Sequence, residues 1–169
     1  MANLIVYFSH PGETFVDGTI VNNKVGNTKK VAELIKEYVG GDLYELIPAD
    51  KYDEKYVVTN ERARQELIAK DAPKLLNPLY DVSKYDVIFI GFPIWHRTYP
   101  RIIDAFLQNV DLTGKTVKLF CTNDEGSFGT AELELGIKLK SARVRGGLSV
   151  RGVLVEENKD RINKWANKI

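Results

Sequence analysis

Residues 4–39 read LIVYFSHPGETFVDGTIVNNKVGNTKKVAELIKEYV, and this stretch decides the fold. Leu4 to Phe8 is apolar without a break and is closed by Ser9. Unbroken apolar character, rather than alternation, suits a strand covered on both faces, as in a parallel sheet between helix layers. From Gly26-Asn27-Thr28 onward, Val31, Leu34, Ile35, Tyr38 and Val39 follow the i, i+3, i+4, i+7, i+8 spacing of an amphipathic helix. Between the two lies a polar loop, His10 to Val25. A strand that feeds a helix through such a loop makes an anion site. The first N–H groups of the helix have no internal partner, and its dipole favours negative charge there.

The same alternation continues along the chain. Gly40-Gly41 stops the first helix, and Leu43 to Ile47, ended by Pro48, is a short strand of mixed character suited to a sheet edge. Residues 49–80 are less regular, with a helix expected from about Asn60 to Lys70 on composition and an extended connection imposed by Pro73 and Pro78. Val87 to Ile90 is a buried strand that Gly91-Phe92-Pro93 is expected to end. Pro100 opens a helix with an apolar stripe at Ile102, Ile103, Phe106, Leu107 and Val110. Val117 to Cys121 is the fourth strand, and a polar loop runs from Thr122 to Thr130.

Residues 132–140, Glu-Leu-Glu-Leu-Gly-Ile-Lys-Leu-Lys, alternate strictly and so carry a strand period. A parallel neighbour nevertheless needs a crossover of about a dozen residues. The segment is therefore expected to be a helix, with Glu134 and Lys138 as an i, i+4 pair. Leu148 to Val155 is the fifth strand, and Ile162, Trp165, Ala166 and Ile169 line a last helix. Five strand-helix units predict an α/β fold: a doubly wound five-stranded parallel sheet in three α/β/α layers, forming a single domain over 1–169.

Composition sets the background. A 44% hydrophobic and 28% charged chain is ordinary for a soluble globular protein. The net charge of +1 gives no reason to expect nucleic acid or membrane as partner. No apolar run nears the ~20 residues of a membrane span. The start of the chain lacks a leader pattern, and a single cysteine suits a reducing compartment, so a cytoplasmic location is expected.

Open α/β sheets bind ligands beyond the carboxyl ends of their strands, where the strand order reverses. Three loops meet that condition: Ser9–Thr28, Pro93–Tyr99 and Thr122–Thr130. In the first, Ser9, Gly26, Asn27 and Thr28 offer hydroxyls and amides but no Walker lysine and no Gly-x-Gly-x-x-Gly. What remains is a neutral nest for a monophosphate. Ser9 and Thr28 fit helix capping equally well. In the second, Pro93-Ile94-Trp95-His96 places an indole beside a strand end, where it either stacks on a flat heteroaromatic or packs under its own loop. His10 and His96 suit donation to ligand oxygens or an ordinary surface role. In the third, Thr122-Asn123-Asp124 is followed by Gly126-Ser127-Phe128-Gly129, where glycines permit close approach of backbone amides to a ring edge. Phe128 either covers a ring face or anchors the loop. Cys121, inside a strand, reads as an inert thiol.

Taken together these segments resemble the flavodoxin family. The resemblance is carried by four segments: Tyr7-Phe8-Ser9 leading to Val25-Gly26-Asn27-Thr28; Tyr85 to Trp95; Asp111-Leu112-Thr113-Gly114-Lys115; and Phe120-Cys121-Thr122 with Gly126-Ser127-Phe128-Gly129. The strand order 2-1-3-4-5 with FMN at its switch point is a known attribute of flavodoxins, not something read from spacing. The resemblance implies bound FMN, with the phosphate at Ser9, Gly26, Asn27 and Thr28. Pro93 to His96 would flank the isoalloxazine, and Thr122 to Gly129 would contact its pyrimidine edge and ribityl chain. It also implies electron transfer to a redox partner protein or a small-molecule acceptor.

Two features depart from small flavodoxins. Pro11–Asn23 is an insertion, and the chain lacks the strong acidity that steers a carrier onto basic partners. Near-neutrality leaves room for an NAD(P)H-dependent flavoenzyme reducing quinones or other small acceptors. A flavin-free interaction module on the same fold is the rival from another class. A phosphorylatable receiver is disfavoured, because the strand ends read Tyr-Phe-Ser and Gly-Phe-Pro where it needs acids.

Overall fold

The apolar runs pair side by side in the computed structural model, which describes residues 1–168; the expectation for Ile169 lies outside the described residues. In chain order the elements are β1 (Asn3–Tyr7), β2 (Gly12–Val16), β3 (Thr19–Asn23), α1 (Asn27–Val39), β4 (Asp42–Glu45), α2 (Tyr56–Ala69), β5 (Val87–Pro93), α3 (Ile102–Leu107), β6 (Thr116–Asn123), α4 (Ala131–Lys138), β7 (Arg143–Arg151) and α5 (Lys159–Asn167). The main sheet runs β4-β1-β5-β6-β7, all parallel. Counting only those five strands, this is the expected 2-1-3-4-5.

Alternate side chains of each strand feed two cores. On one face Ile5, Phe89, Phe120 and Val150 pack against Val31 and Ile35 of α1 and Ile162 of α5. On the other Leu4, Val6, Ile88 and Leu119 meet Ile102 and Phe106 of α3 and Leu135 of α4. The reversal of strand order falls between β1 and β5, so the loops after these strands open onto one crevice. No helix of the described residues is long and apolar enough to cross a membrane.

Several boundaries differ from the sequence expectation. The polar loop His10–Val25 contains the antiparallel β2–β3 hairpin, closed by Asp17 and Gly18 at φ 46° and 84°. Two consecutive positive φ values are what a two-residue hairpin turn matching the strand twist requires. Gly91, Phe92 and Pro93 do not end β5 but belong to it, and Thr122 and Asn123 are the last residues of β6. The fifth sheet strand is Arg143–Arg151, earlier than Leu148–Val155, and a short 3-10 turn occupies Gly152–Leu154. The helix expected from Asn60 begins at Tyr56.

Residues 131–138 form the expected helix despite their alternation. Ala131, Leu135 and Leu139 are buried at i, i+4, i+8, while Leu133 and Ile137 stay exposed and create the false period. The Glu134–Lys138 pair does not form. Glu134 reaches Arg101 at 3.3 Å, and Lys138 reaches Asp104 at 2.6 Å.

One buried charge anchors the α5 layer. Lys118, 1% exposed, donates from Nζ to the carbonyls of Trp165, Ala166 and Lys168, and lies 4.5 Å from the Trp165 ring. It satisfies carbonyls that the end of α5 leaves without helical partners. Burial pushes its pKa down to about 8. The unfolded chain keeps that proton up to about pH 10.4, so between these values it binds more protons than the folded one, and stability rises with pH. The unfolding free energy is therefore expected to gain up to about 2 kcal/mol from pH 8 to 9.5 relative to Lys118→Met, at no more than about 1.4 kcal/mol per pH unit. Denaturant titrations of both proteins check this; identical pH profiles would assign the amine an ordinary proton affinity.

Candidate functional site

The helix entrance is assembled from three strand ends. Gly26 is the N-cap of α1 and offers no side-chain oxygen to the first turn. The cap comes instead from Ser9, two residues past β1, whose Oγ accepts from the Lys29 amide at 3.0 Å. A Cβ on Gly26 would lie 2.2 Å from that Oγ and 2.8 Å from the His10 carbonyl, so only glycine lets the two segments close. The amides of Asn27 and Thr28 have no acceptor among the described residues, as is usual at a helix N-terminus able to hold an anion. Thr28, 1% exposed, shares a 2.7 Å hydrogen bond between its Oγ1 and that of Thr122 on β6. Lys30 stands beside this end, its Nζ 3.5 Å from Asn27 Oδ1.

A cavity of about 270 Å³ opens from this entrance. Of the residues expected at the site, His10, Asn27, Thr28, Pro93, Ile94 and Trp95 line it. So do His96, Thr122, Asn123 and Asp124. The other six do not. Ser9 and Gly26 shape the helix entrance from behind. Gly126, Ser127, Phe128 and Gly129 hold the third loop in place. Phe128 packs against the core, 6.3 Å from the Phe92 ring centre, which makes it an anchor. Gly129, at φ 56°, brings its segment so close to the Arg97 carbonyl that a Cβ would stand 2.0 Å from it. Cys121 is buried, and burial pushes its thiol up to about 11. Both disfavour the reactive thiolate, in line with the reading of a strand thiol.

The second loop folds back on itself: Trp95 and Thr98 exchange backbone hydrogen bonds at 2.9 and 3.0 Å, with His96 and Arg97 both at positive φ. That turn sets Trp95 among rings that meet it nearly at right angles. Their centres lie at 5.0 Å for Tyr52, 5.3 Å for Phe8 and 5.8 Å for His10. Trp95 is thus packed by its neighbours and also lines the cavity. His96 is fixed by a 2.8 Å hydrogen bond between Nε2 and the Asn60 carbonyl. His10 Nε2 is buried with no partner among the described residues. Burial lowers its pKa, opposed by the Asp53 carbonyl and by the Glu54 and Asp53 carboxylates.

Sequence reasoning missed a wall of this cavity. The β2–β3 hairpin supplies Glu13, Thr14, Phe15 and Val16, and α2 supplies Tyr56, Thr59 and Asn60. Glu13 joins the two: its carboxylate accepts from the Tyr56 amide at 2.9 Å and pairs with Lys55 at 3.2 Å, while Phe15 stacks on Tyr56 at 6.0 Å. At the other end the hairpin tip is latched across the crevice. Arg151 donates to the Asp17 carboxylate at 2.9 Å and to the Asp124 carbonyl at 2.6 Å, and the Asp17 amide donates to the Asp124 carboxylate at 3.1 Å. Asp17-Gly18 was the signal available for this hairpin.

A helix entrance at the strand-order switch point, opening onto an aromatic-walled cavity, defines a doubly wound α/β protein with a ligand-sized crevice. The chain belongs to the flavodoxin family, whose model matches residues 20–169. A solved structure from Bacteroides uniformis described as a flavoprotein is 32% identical, with a TM-score of 0.78 over 99% of this chain and 98% of that one. FMN-dependent NADH:quinone oxidoreductase 3 of Bacillus thuringiensis subsp. konkukian is 26% identical over 88% of this chain. Flavodoxin 1 of Escherichia coli K12 is 26% identical over 67% of it. The chain spans 59% and 52% of the lengths of these two relatives.

Proposed function

We propose that this protein binds FMN in the crevice between β1, β5 and β6 and passes its electrons to a small planar acceptor such as a quinone. The donor set fits the cofactor. The free amides of Asn27 and Thr28, with the Thr28 hydroxyl and Lys30 nearby, suit a phosphate dianion. The slot between Trp95 and the Thr122–Asp124 strand end suits a flat ring. Bound there, the flavin supplies the electron chemistry; the chain holds it, screens it from water and sets its potential. Neutral His10, at the cavity wall, would present a ring nitrogen without placing a second cation there.

The observation that carries the choice of acceptor is the latched hairpin. Tied to α2 through Glu13 and to Arg151 and Asp124 at its tip, it walls one side of the crevice, and the space it leaves suits a small molecule. The rival reading, a carrier serving a redox partner protein, has the exposed Phe15 and Ile20 of the hairpin as its candidate docking surface. The reading places the protein in the cytoplasm, where the unpaired Cys121 stays reduced.

The FMN-loaded protein is expected to be yellow, to bleach on photoreduction, and to recolour within the mixing time when a quinone is added anaerobically. A protein that recolours only with a second redox protein would be a carrier. Direct bleaching by NADH would identify the hydride donor, and a colourless protein that refuses FMN would defeat the reading.

A further inference from the structure

The cavity has a polarity that FMN binding does not require. At the α1 end Lys30 stands next to Asn27, and the nest favours negative charge. Along the hairpin the lining carries Glu13 at the start of β2 and Asp124, with its neighbour Glu125, by the tip, and no Lys or Arg among the described residues. These acids are not equivalent. Asp124 is committed to the latch, facing Arg151 at 3.5 Å. Glu13 is held ionised by the Tyr56 amide and then by Lys55, which draw its pKa down. Its partner Lys55 points into solvent, with 72% of its side chain exposed. Glu125 is exposed and has no ion-pair partner among the described residues. His10 adds no positive charge, because burial disfavours its cation. The Asp53 and Glu54 carboxylates lie close enough to act on it.

We propose that the space between the β2–β3 hairpin and the first turns of α2 is a subsite for an uncharged planar molecule, and that Glu13 and Glu125 make it reject anions. The planar part would meet the Phe15–Tyr56 pair and the Trp95 turn, which line the same cavity. The neighbouring Thr14, Thr59 and Asn60 supply hydroxyl and amide groups for carbonyl oxygens. Glu13 is the specificity residue because its position is fixed. It caps α2 from outside the helix, so its charge cannot swing away when a ligand enters. An anionic ligand would face more carboxylates than cations, since Lys55 answers Glu13 and Arg151 answers Asp17 and Asp124 while Glu125 has no ion-pair partner among the described residues; an uncharged ligand of the same shape loses nothing. This inference rests on the reading that FMN fills the rest of the crevice.

The test compares 1,4-naphthoquinone with 1,4-naphthoquinone-2-sulfonate, two probes that share a ring and differ in charge. Calorimetric titration into the oxidised, FMN-loaded protein at low salt is expected to give at least tenfold tighter binding of the uncharged probe, the discrimination of about one fixed charge a few ångströms away. Glu13→Gln keeps the shape and most of the hydrogen bonding, and should shrink that ratio at least threefold. Glu125→Gln, at an exposed position, should shrink it in the same direction without touching the fold. Raising the salt to about 0.5 M should shrink it in the wild-type protein, since the Debye length falls below 5 Å.

Equal affinity for the two probes, or a ratio unmoved by both substitutions and by salt, overturns the proposal. FMN affinity is read first in the same sample. A protein that refuses FMN defeats the flavin reading alone, and the titration of the unloaded cavity then decides the selectivity by the same ratio.

Discussion

Replacing Thr28 with valine is expected to weaken FMN binding by one to two orders of magnitude. Valine preserves the β-branched shape that packs at the second position of α1 and removes only the hydroxyl. A hydrogen bond to a charged acceptor contributes about 1.5–3 kcal/mol, and about 1.4 kcal/mol is tenfold in affinity. The complication is Thr122, whose Oγ1 lies 2.7 Å away and loses its partner as well. Thr122 is 4% exposed, so the orphaned hydroxyl costs stability of about 1–3 kcal/mol.

The two effects separate in a cycle with Thr122→Val. If Thr28 binds phosphate, Thr28→Val carries clearly the larger affinity loss, Thr122→Val a smaller one through its place in the cavity wall, and the double variant regains stability without regaining FMN. Equal affinity losses from the two single variants would mean that Thr28 acts only by holding the β6 end in place. Quenching of FMN fluorescence on titration measures the affinities, and urea unfolding of the unloaded proteins measures the stabilities.

That Thr28 could be singled out reflects how plainly the sequence states the sheet and how little it states of the cavity. The apolar runs at Leu4–Phe8, Val87–Ile90 and Val117–Cys121 have few other homes than a two-sided sheet, and the α1 stripe fixes its packing face. The hairpin was harder to see. Phe15 and Ile20, its large apolar residues, are exposed, so no buried stripe advertises it, and it pairs with nothing in the main sheet. Its only local mark was Asp17-Gly18.

The contribution of α2 was hidden for a related reason. Val57, Val58 and Ile68 face solvent while Thr59 and Ala63 are buried, so polarity along that helix runs against its orientation. The first loop supplied the clearest residues because a helix entrance has a fixed chemistry. The walls came from elements whose chemistry is set by what they cover.

Gly91→Ala is expected to cost about 3 kcal/mol and lower the melting temperature by about 6–12 °C, because overpacking a filled core costs 1–3 kcal/mol or more and a domain of this size loses about 2–4 °C per kcal/mol. A glycine between Ile90 and Phe92 reads as the end of a strand, yet it sits inside β5, in register with Tyr7 on one side and Phe120 on the other. Its φ is ordinary, so any L-residue could adopt the backbone; what is missing is space. A Cβ there would stand 2.0 Å from Cζ of Phe120 and 2.2 Å from Cε2. The ring lies over the glycine and is fully buried, with Trp165 edge-on to it at 6.4 Å. To admit a methyl group it must turn into Trp165 or push β5 away from β6.

The second course would move Pro93 to Trp95, so FMN affinity should fall with stability. Phe120→Leu supplies the control. Alone it leaves a cavity and destabilises; combined with Gly91→Ala the added methyl occupies part of the vacated volume. The double variant should therefore be more stable than the sum of the single effects by about 1–2 kcal/mol, within the range seen for residues in contact. Strict additivity in denaturant titrations would show that the ring does not stand over Gly91, and the close pairing of β5 with β6 at the mouth of the site would need another cause.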